Sequence, residues 1–175
     1  MRYLRKLFFS IILLSTLACS AQEPANRAHC QNPNFDKKVA SMISFTVPTI
    51  NPSDAKKITN VVYLDAREKS EFDISHLPNA RFIGFNNFEA TALTQITKET
   101  PIVVYCSIGY RSEKIGEKLL KMGYKNVHNL YGSIFEWVNQ GNQVVDNQGV
   151  TTKKVHTYNK KWSKWLDDGK GEKVW

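Results

Sequence analysis

The stretch Ile102-Val103-Val104-Tyr105-Cys106-Ser107-Ile108-Gly109-Tyr110-Arg111-Ser112 follows Pro101 and runs from strand to loop to helix. Its first four residues are apolar without alternation, the pattern of a strand buried on both faces. Gly109 breaks the run. From Arg111 to Met122, Ile115, Leu119, Leu120 and Met122 recur at helical spacing, and Gly123 offers a left-handed stop. The apolar stripe of this helix reads as core. Working outward, Val61–Asp65, Arg81–Phe85 and Val127–Tyr131 read as further strands, with an edge strand expected near Ser44–Val47. Helices are expected at Pro52–Ile58, with Asn51 as N-cap and Pro at the first position, and at Glu68–Ile74, Asn87–Ile96 and Ser133–Asn139. Short β-rich runs alternating with helices predict an α/β protein with a parallel sheet.

In such a sheet, sites form at the carboxyl ends of strands. Asp65 and Cys106 both stand at such an end. Gly109 lets successive N–H groups turn inward as a nest, and the helix that follows aims its positive N-terminus at the same spot. Arg111 adds a fixed charge. All three favour the thiolate over the thiol, and the same cradle suits a small oxyanion beside the sulfur. Cys106 is therefore the candidate nucleophile, weighed against the ordinary role of a free cysteine as a small buried hydrophobe.

Several segments, in order, carry a family resemblance. Leu64-Asp65-Ala66-Arg67-Glu68 matches a D-x-R-E pattern, and Glu71-Phe72-Asp73-Ile74-Ser75-His76-Leu77-Pro78-Asn79-Ala80 an E-[FY]-x-x-G-H-I-P-G-A pattern, with Ser75 and Asn79 at glycine positions. Val103–Ser112 resembles the active-site loop. Leu119–Tyr124 and Leu130-Tyr131-Gly132-Ser133 resemble L-x-x-x-G-[FY] and L-x-G-G segments, with Ser133 for the second glycine. Together, across roughly residues 40–142, they resemble the rhodanese (sulfurtransferase) domain. The resemblance implies a single twisted parallel sheet of about five strands with helices on both faces. It implies that Cys106 takes a sulfane sulfur from a donor such as thiosulfate as a persulfide and yields it to a thiol or cyanide. Ser107, Ile108, Gly109, Tyr110, Arg111 and Ser112 would bind the substrate, their N–H groups stabilising the sulfur and Arg111 orienting an anionic donor. No cofactor is implied.

Cys106 to Arg111 is C-x4-R, whereas cysteine phosphatases of similar fold resemble C-x5-R, so the loop length favours sulfur over phosphate. Asp65 and Arg67 are expected to support the base of the loop rather than to react. His76 and His128 read as structural. The four histidines and three cysteines show no metal-ligand spacing. The rival function is a non-enzymatic or redox-responsive binding module, with Cys30 as a thiol that could cap Cys106.

The ends of the chain are distinctive. Arg2, Arg5 and Lys6 precede the apolar run Leu7–Ala18, which is too short for a permanent membrane span, and Ser15-Thr16-Leu17-Ala18-Cys19 resembles a bacterial lipobox with Thr16 at an unusual position. Residues 1–18 are expected to be a signal peptide, Cys19 the lipidated residue, and residues 19–39 a polar tether, with cleavage after Ala21 as the alternative. This places the chain outside the cytoplasm as a membrane-anchored bacterial lipoprotein, acting as a monomer. Loss of Arg2, Arg5 and Lys6 lowers the charge from +8 to +5, and residues 150–175 hold seven lysines against three acids. The remaining charge is thus concentrated in an extension, residues 143–175, so nucleic acid is not an expected partner. Trp162, Trp165 and Trp175 in this tail are expected to pack back on the domain, the alternative being an anionic membrane surface. With apolar residues at 42% and charged residues at 23%, the chain is neither disordered throughout nor a polytopic membrane protein.

Overall fold

The computed structural model describes residues 23–175. The signal peptide and Cys19 fall outside the described residues. A five-stranded parallel sheet forms from β1 (Thr49–Ile50), β2 (Val62–Asp65), β3 (Arg81–Phe82), β4 (Ile102–Tyr105) and β5 (Val127–Leu130), in the order β1-β5-β4-β2-β3. The strand β4 sits at its centre. It registers against β2 through the pairs Val62↔Ile102 to Asp65↔Tyr105, and against β5 through Ile102↔Val127 to Val104↔Asn129.

All four residues of β4 are buried, and its side chains alternate between two apolar clusters. Val103 and Tyr105 join Phe35, Leu130, Ile134 and Phe135 on one face. Ile102, Val104 and Cys106 join Leu64, Ile83, Ile115 and Leu119 on the other. The helices α1 (Pro33–Ala40), α2 (Pro52–Ala55) and α5 (Ser133–Asn139) cover the first face, and α4 (Tyr110–Lys121) the second. A short α3 (Lys69–Ile74) follows β2.

Three expectations change. The edge strand is Thr49–Ile50, not Ser44–Val47, because the N–H groups of Ser44 and Thr46 turn instead to the buried Glu113 carboxylate of α4. Residues 87–96 form only a 3-10 turn at Ala90–Leu93. Thr91 and Thr94 are β-branched, Thr94 leaves the helical region at ψ 131 and Gln95 is left-handed at φ 63, so no α-helix propagates. The polar stretch expected as a tether folds from Ala28 onward. Asn32 caps α1 through its Oδ1, which accepts from the N–H groups of Asn34 and Phe35 at 3.0 and 3.2 Å. Phe35 and Val39, four residues apart on one face of α1, are fully buried.

The extension after α5 is ordered on the domain. β6 (Val144–Val145) pairs antiparallel with β7 (Thr151–Thr152), and β8 (Lys154–His156) pairs parallel with β9 (Glu172–Val174). Trp165 stacks on Phe35 at 5.4 Å, and Asn139 holds the tail by donating to the Trp165 carbonyl and accepting from the Asp167 N–H, each at 2.9 Å. Among the described residues, no helix is long and apolar enough to cross a membrane.

Candidate active site

Cys106 leaves the carboxyl end of β4 with 1% of its surface exposed. The chain must reverse from strand to helix within a few residues, and Gly109 does this at φ +135, a conformation closed to other residues. The reversal brings the Gly109 N–H to 3.1 Å from Cys106 Sγ. The Ser112 hydroxyl lies 3.5 Å from the same sulfur, and that of Ser133 lies 3.9 Å away. Asn129 of β5 locks the loop by donating to the Gly109 carbonyl at 2.9 Å and accepting from Ser112 Oγ at 2.7 Å. Ser133 Oγ also accepts the Cys106 N–H at 3.0 Å. Burial pushes the Cys106 thiol up, but the Arg111 charge, the Ser112 hydroxyl and N–H and the Gly109 N–H outweigh it, and the net shift is downward. The site favours the thiolate over the thiol.

Arg111 is paired on the protein. Its guanidinium forks onto Glu71 of α3, Nη1 to Oε2 at 2.6 Å and Nη2 to Oε1 at 3.0 Å, and Nη2 also donates to Ser107 Oγ at 2.9 Å. Burial pushes the Glu71 carboxyl up, and Arg111 more than offsets this, so it stays ionised below the usual range. Arg111 thus reaches Cys106 as a nearby charge whose hydrogen bonds are taken by Glu71 and Ser107. Glu71 is 40 residues from Arg111 in sequence, and only the topology joins them.

Asp65 and Arg67 form a fully buried pair beneath the loop. Arg67 Nη2 and Nε donate to Asp65 Oδ2 at 2.7 and 3.1 Å, and Nη2 also donates to the Ser75 carbonyl at 2.5 Å. The Asp65 carbonyl accepts the N–H groups of Ile83 and Gly84 at 3.0 and 3.1 Å, which ties β2 to the segment after β3. Neither side chain touches the sulfur, consistent with loop support. His76 stacks on Phe72 at 3.9 Å and pairs its backbone with Val145, which ties the segment after α3 to the tail.

A cavity of about 530 Å³ opens above Cys106. Ser107, Ile108, Tyr110 and Arg111 of the loop line it, while Gly109 and Ser112 face the sulfur from within. Met42, Phe85, Tyr158 and Trp162 complete the wall. The sequence reading assigned no site role to Ser133, Glu71, Tyr158 or Trp162. Ser133 was visible only as a departure from glycine. It adopts φ 52 and uses its hydroxyl to bind the Cys106 backbone and the Leu130 carbonyl. Asn79 likewise takes a left-handed φ of 59, whereas Ser75 is extended at φ −169 and needs no glycine.

A family model described as "Rhodanese-like domain" matches residues 51–140, just over half the chain. The chain belongs to the rhodanese-like domain family. Among curated proteins it is similar to tRNA uridine(34) hydroxylase of Yersinia pestis, at 30% identity over 89 residues, covering 48% of this chain and 25% of the relative. The hydroxylase of Hamiltonella defensa is 32% identical over 87 residues, covering 47% and 24%. The match thus spans about a quarter of the length of these relatives. Among solved structures, the thiosulfate sulfurtransferase of Pseudomonas aeruginosa superposes with a TM-score of 0.52 at 21% identity, over 58% of this chain and 21% of that one. A Bacillus halodurans protein superposes with a TM-score of 0.51 at 21% identity, over 66% and 87%. These two likenesses are of fold.

Proposed function

We propose that the protein is a sulfurtransferase that carries a sulfane sulfur as a persulfide on Cys106. The observation that carries this reading is the thiolate cradle. One backbone N–H stands at 3.1 Å from Sγ, two hydroxyls flank it, and the loop has the C-x4-R length. The thiolate attacks the outer sulfur of a donor such as thiosulfate. The new S–S bond forms as the donor's own S–S bond breaks, and sulfite departs with that electron pair. The outer sulfur then carries the negative charge, which the loop N–H groups and the N-terminus of α4 stabilise. An acceptor thiolate or cyanide attacks that sulfur and releases Cys106 as thiolate. No general base is required, because a lowered thiol pKa supplies the thiolate directly.

The test is the intact mass of residues 23–175 after exposure to thiosulfate or inorganic polysulfide. A gain of about 32 Da, the mass of one sulfur, is expected, removed by cyanide and lacking in Cys106→Ala. No gain with either donor, on an enzyme whose Cys106 is shown to be reduced, overturns the reading. The rival redox module gains no support from the fold. Cys30 packs in the cluster on the opposite face of the sheet from Cys106, and both thiols are free.

Export and lipidation at Cys19 are proposed on the sequence alone, with a bacterial membrane as partner. Labelling of the full chain by a radioactive fatty acid, lost in Cys19→Ala, is the expected outcome.

A further inference from the structure

The chemistry sits within residues 51–140, but three residues of the cavity wall, Met42, Tyr158 and Trp162, do not. Met42 enters from the loop after α1. Tyr158 and Trp162 enter from the C-terminal extension. These residues are built into place. The Thr157 N–H donates to the Val174 carbonyl at 2.6 Å, and the Tyr158 N–H donates to His156 Nδ1 at 3.1 Å. Tyr158 takes a left-handed φ of 65, and its ring lies 5.5 Å from the Arg111 guanidinium carbon. The Trp162 N–H donates to Asn159 Oδ1 at 3.2 Å, and the Lys38 ammonium caps its ring at 5.4 Å.

The wall carries little free positive charge. Arg111 is paired with Glu71, and among the described residues no lysine lines the cavity. Its other charged lining group is Glu68, whose carboxylate accepts from Asn86 Nδ2 at 2.8 Å. His156 lies 3.8 Å from Glu71, and burial lowers its pKa, so it adds no charge near neutrality. Along this wall the Arg111 guanidinium is engaged by Glu71 and Ser107, and the Lys38 ammonium by the Trp162 ring. The volume is in the range of sites that enclose a small organic molecule, far beyond what cyanide needs.

We propose that this wall is the acceptor subsite, and that the sulfur acceptor is an uncharged organic thiol with an aromatic body, seated against Tyr158 and Trp162 with its sulfur towards Cys106. The proposal rests on the persulfide reading above. The acceptor enters as RSH and gives its proton to solvent. The thiolate RS⁻ attacks the outer sulfur of the Cys106 persulfide. The S–S bond of RSS⁻ forms as the bond to Cys106 breaks, and that electron pair stays on Sγ, with no external oxidant or reductant. Tyr158 and Trp162 are specificity residues, and Cys106 remains the nucleophile.

Two measurements test this on residues 23–175. Calorimetry on Cys106→Ser, which cannot form the persulfide, compares phenylmethanethiol with 2-mercaptoethanol. The aromatic thiol is expected to bind at least about tenfold more tightly, since ring contacts of this kind are worth roughly that factor. Tyr158→Ala and Trp162→Ala should each remove most of that preference, Tyr158→Phe should recover it, and Trp175→Ala, at an exposed position, should leave it intact. On enzyme preloaded with sulfur and checked by mass, the ratio of kcat/KM for phenylmethanethiol over cyanide should fall about tenfold in the two alanine variants, through KM. Equal binding of the two thiols, or a ratio unmoved in folded Tyr158→Ala and Trp162→Ala, overturns the subsite while sulfur uptake stands. Failure of uptake, seen in the mass before any acceptor is added, removes the sulfurtransferase reading and the role of the subsite with it.

Discussion

Cys106 and Cys30 are both buried thiols in the same small domain, and their surroundings drive them in opposite directions. Around Cys106 stand an N–H donor, two hydroxyls, a helix N-terminus and the Arg111 charge. Cys30 faces carboxylates. Burial raises its pKa, then Glu136 and Asp36 raise it further, far beyond the ordinary thiol range. Its own N–H is spent on Asp36 Oδ1 at 2.8 Å. Glu136 is itself held up by burial, and its Oε2 has no partner. Burial raises both thiols, and the sign of the net shift comes from the charges and donors that face the sulfur, a guanidinium with N–H and O–H donors at Cys106 and carboxylates at Cys30.

The contrast is sharpest in covalent chemistry. Cys106→Ala should abolish sulfur uptake entirely, and Cys30→Ala should retain it, read by intact mass. Next in size, brief treatment with iodoacetamide at pH 7 should label Cys106 at least about a hundredfold faster than Cys30, as thiolate fraction governs the rate. Peptide mapping measures this, and equal labelling would break the comparison. The two glycines beside the two thiols separate stability from reactivity. A Cβ at Gly132 would stand 2.5 Å from Glu136 Cβ and 2.7 Å from Cys30 Sγ, at φ +69. Gly132→Ala should therefore cost about 2 kcal/mol in urea denaturation, in the range of overpacked cores. At Gly109 the space is adequate, the nearest atom being Ile43 Cγ2 at 3.4 Å, but φ +135 is not open to alanine. Gly109→Ala should cost about 1–3 kcal/mol, as for strained backbone, and slow alkylation of Cys106 as the N–H swings away from Sγ.

The subtlest effect is in pH. A depressed thiol pKa means that reactivity is complete at and above the ordinary thiol range and is lost as pH falls through the lowered value. The alkylation midpoint of Cys106 should thus lie below that of a free thiol, about 8.5. Arg111→Gln removes a favourable charge and should move it upward. Cys30 should show no such midpoint below pH 9.

Much of this contrast was legible on one side only. The strand Ile102–Tyr105, the helix after Gly109 and the nucleophile between them are local features, written in a run of eleven residues. The loop was therefore readable from spacing alone. Cys30 reads in sequence as part of a tether, because its neighbours are polar and its burial depends on Phe35, Glu136 and Gly132, brought together by the fold. The Arg111–Glu71 fork was invisible for the same reason. The tail showed its tryptophans but not their destination. Trp165 stacks on Phe35, a residue 130 positions earlier, and no window of sequence contains both.

That stack has a consequence in time. Synthesis runs from the N-terminus, so the nest around Cys106 and the whole five-stranded sheet can assemble before Glu172–Val174 leaves the ribosome. Only when those three residues pair with Lys154–His156 is Thr157 anchored and Tyr158 set against the cavity. A nascent or C-terminally clipped chain would then hold a competent thiolate behind an unfinished wall. Its reactivity would precede its selectivity.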